Sequence, residues 1–125
     1  MLVTVLFAGS LSATEEDVIL NTATGDIHGR LLLPDSTTTA PLVIIIAGSG
    51  PTDMDGNTLG SDFRNNSLKL LAEALAREGI ASLRYDKRGI GKSHATAASE
   101  EELRFEHYID AAAAWTDKFG NDRRF

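Results

Sequence analysis

The chain has 125 residues, 42% of them apolar and 24% charged, which fits one globular domain of ordinary size. Its formal charge of −6 argues against a nucleic-acid partner, which usually needs a basic face. With no cysteine in the chain, disulfides and thiolate metal sites are excluded.

Leu2 to Ala8 is a short apolar run, followed by the small residues Ser10 and Ser12. The pattern reads as the apolar region and cleavage site of a signal peptide cut before Ala13. The basic residues that usually precede such a run are missing, and an ordinary first strand is the competing reading. The run is too short to span a bilayer. The expected organisation is a leader over residues 1–12 and one partial domain over 13–125. The expected location is periplasmic or secreted, or cytoplasmic if the leader reading fails.

Asp17 to Thr24 alternates, with Val18, Leu20 and Thr22 on one face. Ile27, Gly29, Leu31 and Leu33 alternate in a return strand that Pro34 ends. The spacing predicts an antiparallel hairpin turning at Gly25-Asp26, with Gly at the first central position. Ser36 to Ala40 is a polar connection. Leu42 to Ala47 is then an apolar, β-branched run between Pro41 and Gly48, and it reads as a parallel strand buried on both faces. Gly48, Ser49, Gly50 and Pro51 cannot continue a central strand. They predict a tight loop whose backbone N–H groups are open to a ligand. Such a loop lies at the carboxyl edge of the sheet, where open α/β sheets bind ligands.

Asp53 to Asn65 is a polar loop, and Asn65 or Asn66 can cap the next helix. Leu68, Leu71, Ala72, Leu75 and Ala76 fall on one helical face, and Gly79 suits the position just past its end. Ile80 to Tyr85 reads as a second buried strand. It leads into Asp86-Lys87-Arg88-Gly89-Ile90-Gly91-Lys92-Ser93, another Gly-rich turn. Ser99 and Glu102 form a capping-box pattern for a last helix. Its apolar stripe is Phe105, Tyr108, Ile109, Ala112, Trp115 and Phe119, and Gly120 stops it. The predicted order is β-β-β-α-β-α, with the last two strands parallel.

Several sites are tested by spacing and fail. Gly91-Lys92-Ser93 suggests a phosphate loop, but the glycine required five positions before Gly91 is Asp86, a carboxylate that repels phosphate. Gly48-Ser49-Gly50 lacks the third glycine of a dinucleotide fingerprint, because Asp53 stands there. Asp53, Asp55 and Asn57 begin like a calcium loop, but the position that needs glycine is Thr58, with Gly56 too early, and the required Glu is missing. His28, His94 and His107 share no metal-ligand spacing. No cofactor and no metal are expected.

The remaining feature is a pair of Gly-rich turns at parallel strand ends. Gly48-Ser49-Gly50 can aim N–H groups at a developing oxyanion, beside the charge cluster that runs from Arg84 to Ser93. These residues resemble the N-terminal half of an α/β-hydrolase. More narrowly, they resemble the bacterial esterase and serine-aminopeptidase-like branch. That branch carries a Gly-Ser-Gly-Pro-Thr-Asp-x-Asp-Gly-Asn loop and a Tyr-Asp-x-Arg-Gly-x-Gly-x-Ser turn. The resemblance runs from about Asp17 to Phe125.

The resemblance implies an α/β fold: half of an α/β-hydrolase sheet, an antiparallel hairpin followed by parallel strands with crossover helices, stopping before the nucleophile strand. It implies a serine hydrolase acting on small acyl or ester substrates. Ser49 and Gly50 would supply oxyanion N–H groups. Asp86, Arg88, Gly89 and Ser93 would hold the second turn, and Asp53 and Asn57 would shape the pocket rim. The family's nucleophile sits in a Gly-x-Ser-x-Gly elbow, and this chain contains no such pentapeptide. In the family's chain order the acid and the histidine come later still, so the resemblance implies that the whole triad is missing and that the chain alone is inactive. A non-catalytic half-domain that binds or assembles with a partner is the alternative reading. Self-association of the chain is expected in either case, because the apolar strand Leu42 to Ala47 would be left with an unpaired edge.

Overall fold

A computed structural model describes residues 12–35, 39–97 and 99–125. The expected leader falls on residues outside this range, apart from Ser12. Four strands form one sheet in the order β1-β2-β4-β3. They are β1 (Thr14–Thr22), β2 (Gly25–Leu33), β3 (Leu42–Ile45) and β4 (Ala81–Tyr85). Two helices are α1 (Ser67–Arg77) and α2 (Phe105–Phe119), and short 3-10 turns cover Gly91–Thr96 and Glu100–Glu102. β1 and β2 are antiparallel, β2 and β4 are antiparallel, and β3 and β4 are parallel across the α1 crossover.

The hairpin forms as the alternation predicts, but its turn lies elsewhere. Thr22 pairs with Gly25, so the two loop residues are Ala23 and Thr24, and Gly25-Asp26 belongs to the return strand. The Gly25 φ of +123° follows the turn rather than starting it. A glycine suits the last position of a common turn as well as the first centre of a hairpin turn, so spacing alone does not choose between them. The inward set survives the change, because Leu20 now faces Ile27 and Val18 faces Gly29. A displacement by an even number of residues leaves every side chain on its original face.

β4 is buried along its whole length. One face of the sheet packs Leu20, Ile27, Leu31, Leu83 and Tyr85 against Ala111, Trp115 and Phe119 of α2. The other face packs Leu32 and Ile45 against Ala72 and Ala76 of α1. Helices on both faces of a mixed sheet make a three-layer α/β arrangement. Trp115 is fully buried, 5.8 Å from the Tyr85 ring and stacked 5.9 Å from Phe119.

Two expectations about burial are corrected. β3 ends at Ile45, lies at the edge of the described sheet, and is not buried on both faces: Val43 is 39% exposed and Ile46, just past its end, 52%. Ile45 packs against Ala72 and Ala76 of α1, while Val43 stays exposed. In α2, the core takes Ala111, Trp115 and Phe119, while Phe105 is 73% and Ile109 52% exposed. The apolar stripe is wider than the core contact, and its N-terminal end faces away from the sheet. Ser99 precedes only the short 3-10 turn and makes no capping bond; Arg104 occupies the N-terminal cap of α2.

α1 ends as predicted. Gly79, at φ +76°, donates to Ala76 O, and Ile80 N–H donates to Leu75 O, the paired bonds of a Schellman cap. Its start is built differently. Asn66 adopts a left-handed φ of +49° and makes no side-chain cap, while Asn65 Oδ1 accepts from Ser67 N–H at 3.1 Å. The backbone carbonyl of Asp55 accepts from Leu68 and Lys69 N–H, so a loop from outside the helix satisfies its first turn.

Candidate active-site loop

The loop after β3 has two parts. The first, Gly48-Ser49-Gly50, is exposed, and Gly50 sits at φ +80°. Among the described residues, no acceptor bonds the N–H of Ser49 or of Gly50. The second part, from Pro51 to Leu59, is closed on itself. Leu59 N–H donates to Pro51 O at 2.8 Å, and Asp53 N–H to Asn57 O at 2.9 Å. Asp53 Oδ1 accepts from Asp55 N–H at 3.0 Å and from Asn57 N–H at 2.8 Å. The Asn57 amide is buried and exchanges two bonds with Asn66, donating to its side-chain oxygen and accepting from its backbone N–H. These carboxylate and amide groups are committed to holding the loop. Among the described residues, no group of three or more His, Cys, Asp or Glu side chains is placed to hold a metal ion.

The end of β4 grips this loop twice. Asp86 Oδ1 accepts from Met54 N–H at 2.7 Å, and Asp86 Oδ2 accepts from Lys92 N–H at 2.8 Å. One buried carboxylate thus links the two Gly-rich turns. Lys87 Nζ then donates to Gly48 O and, at 2.9 Å, to Gly50 O. Burial pushes the Lys87 ammonium below its ordinary value.

The second turn is held to the hairpin. Ser93 Oγ accepts from His28 N–H and donates to Asp86 O, each at 2.9 Å. Arg88 donates to Thr24 Oγ1, and Gly89 N–H donates to Thr96 Oγ1 at 3.0 Å. Gly91 lies at φ +52°, and a Cβ there would stand 2.4 Å from Asp86 Oδ2, so the close approach of carboxylate to backbone requires glycine. Asp86, Arg88, Gly89 and Ser93 therefore hold the turn, as the resemblance implies.

Arg84, fully buried on β4, is a residue that sequence reasoning misses. Its Nε donates to Asp55 Oδ1 at 2.9 Å and its Nη2 to Glu15 Oε1 at 2.5 Å, tying the loop to β1 across the sheet. Its signals are its place in a strand that is otherwise apolar or small and at the head of the charge cluster that runs to Ser93. Lys87 is missed as well, as one charge within a charged run.

A cavity of about 630 Å³ opens beside the loop. It is lined by Ile46 to Pro51 of the loop, by Lys87, Gly89 and Ile90 of the second turn, and by Leu103, Phe105 and Tyr108. Ser49 and Gly50 both line it. Asp53 and Asn57 do not, which corrects the expectation that they shape its rim: their polar groups are turned to the loop's own backbone. The three histidines also lie off the cavity lining. His28 is half-buried, His94 Nδ1 is 3.1 Å from Gly91 O, and His107 Nδ1 accepts from Arg104 N–H.

No family model matches the chain. Esterase EstD of Thermotoga maritima is 36% identical over 77 residues, which are 62% of this chain and 17% of that protein. Among solved structures, a cold-adapted esterase from an Arctic intertidal metagenomic library superposes with a TM-score of 0.57 at 17% identity. That match covers 92% of this chain and 48% of the esterase. An α/β serine hydrolase without a lid, from Xanthomonas campestris, superposes with a TM-score of 0.56 at 20% identity over 83% of this chain and 44% of its own. The matched parts make up less than half of each of these relatives. Its sheet, crossover and helical layers are those of the α/β-hydrolase fold, of which this chain carries about half.

Proposed function

We propose that the chain is the oxyanion-loop segment of a serine hydrolase that cleaves carboxylic esters or related acyl compounds. One observation carries the reading. The N–H groups of Ser49 and Gly50 have no acceptor among the described residues, and both residues line a cavity at the carboxyl end of β3. Free N–H groups held on a rigid loop can receive the oxygen that becomes negative when an acyl carbonyl is attacked. The likeness to esterases supports that direction, and the two loop motifs favour the bacterial esterase and serine-aminopeptidase-like branch.

The sequence has no Gly-x-Ser-x-Gly elbow, and in the order of the resembled family the acid and histidine follow that elbow, so under this reading the triad lies in residues this chain does not contain. The chain by itself should neither turn over an activated ester nor be labelled by a serine-directed phosphonate. Stoichiometric labelling of any serine in it would sink that reading. In a full-length relative with the same Gly-Ser-Gly loop, Ser49→Ala should be mild. Ser49→Pro, which removes the N–H, should cost about 3 kcal/mol in the transition state. Equal losses for both variants would point to the hydroxyl instead.

A second reading, a half-domain that assembles with a partner, is favoured by the open edge of β3 and by the exposure of Val43 and Ile46.

A further inference from the structure

The Lys87 side chain is almost wholly buried, and among the described residues no carboxylate pairs with it. Buried charges are ordinarily paired. Here the partners are two backbone carbonyls of the exposed loop, Gly48 O and Gly50 O. These carbonyls flank Ser49 on both sides.

A trans peptide is planar, and its C=O and N–H point in opposite directions. The Gly48 carbonyl and the Ser49 N–H belong to one such plane. Drawing Gly48 O toward the ammonium therefore turns the Ser49 N–H to the other side of the loop. A cation on the carbonyl also polarises the peptide and strengthens its N–H as a donor, because linked hydrogen bonds reinforce one another. Gly50 O takes a second bond from Thr52 N–H at 2.9 Å, which leaves that carbonyl little freedom to swing.

We propose that Lys87 is a positioning residue for an anion-receiving loop: its ammonium straps the carbonyls of Gly48 and Gly50 and so presents the Ser49 N–H to an anionic oxygen. The inference rests on the oxyanion reading above and adds to it the group that sets the donor's direction. Asp86 and Lys87 divide the task. The carboxylate anchors the closed part of the loop at Met54, and the ammonium anchors the exposed part at Gly48 and Gly50.

The test uses methylphosphonate, a tetrahedral anion, as the probe, and hydrogen exchange of the Ser49 and Gly50 amides as the readout. In the 125-residue chain, saturating methylphosphonate should slow exchange at these amides about tenfold, the effect of one charge-assisted bond. Lys87→Met fills the same space without the ammonium and should abolish the slowing. The chain has no cysteine, so Lys87→Cys can be alkylated selectively with bromoethylamine to restore an ammonium on a stem of nearly the same length. That product should regain the slowing, which a space-filling role does not predict.

Protection of the β4 amides reports that each variant is folded. If Lys87→Met fails that check, the unalkylated Lys87→Cys form replaces it in the comparison. Slowing that persists in the folded variant without an ammonium overturns the inference alone, as does a folded alkylated form that regains nothing. No slowing in the unmodified chain overturns the oxyanion reading, and the inference with it.

Discussion

The Asp86 carboxylate links the closed part of the first loop to the second Gly-rich turn. Replacing it by Ala leaves the Met54 N–H buried with no acceptor, and the Lys92 N–H without its partner. An orphaned buried donor costs about 1–3 kcal/mol. Asp86→Ala should therefore lower the denaturation midpoint markedly, and Asp86→Asn, which keeps one acceptor oxygen, should lower it less. Equal loss would mean that the charge matters and the geometry does not. Tyr85 gives a pH dependence. Burial holds its phenol above the ordinary value of 10.0, so the folded chain resists an ionisation that the unfolded chain accepts. Its contribution is fully present below the unfolded value and is lost as pH rises through the folded one. Urea midpoints taken from about pH 9 to about pH 11 should fall, and Tyr85→Phe should flatten part of that fall. An identical slope in the variant would assign the loss to other groups.

At the scale of elements, the two ends of α1 depend on glycines for different reasons. Gly79 lies at φ +76°, and a Cβ there would meet no atom within 4 Å, so only the backbone conformation demands glycine. Gly56 lies at φ +91°, and a Cβ there would meet Ser67 Oγ at 2.4 Å and Leu68 N at 2.8 Å. Gly79→Ala should cost about 1–2 kcal/mol, the penalty of a left-handed residue. Gly56→Ala adds a collision with the first turn of the helix and should cost about 2–4 kcal/mol. Thermal unfolding of the two variants checks the order, and a reversed order would mean that the Asp55 loop yields more easily than the helix end. α2 depends instead on Trp115, because Tyr85 and Phe119 both pack on that one ring.

For the whole molecule, the decisive feature is that β3 forms the edge of the described sheet. Its outer backbone groups face no described strand, and Val43 and Ile46 add exposed apolar surface. An apolar edge of this kind is a template for another chain. We expect the chain to self-associate at micromolar concentration, which sedimentation can read directly. Val43→Lys should shift it toward monomer, because the position is exposed. Ile45→Lys should instead unfold it, because Ile45 packs into Ala72 and Ala76. A sharp monomer peak for the unmodified chain would refute the expectation.

Much of this is legible in the sequence, because it depends on neighbours along the chain. Alternation from Val18 to Leu33 sets the inward face of the hairpin, and the helical spacing from Leu68 to Ala76 sets α1. The glycine motifs mark both turns at the ends of β3 and β4; the holding role of Asp86 and Ser93 comes only from the resemblance those motifs carry, because their partners Met54 and His28 lie 32 and 65 residues away. The tertiary structure decides what depends on distant partners. The open edge of β3 is already expected from the resemblance, but only the packing of the sheet shows that Val43 is exposed, and only the seat of Trp115 selects which part of the α2 stripe is core. The bond from Lys87 to the Gly48-Gly50 loop spans 39 residues, and that from Arg84 to Glu15 spans 69. Periodicity reports which face a side chain takes, but a hydrogen-bond partner is chosen by where the fold brings another strand or loop, and no local spacing encodes that.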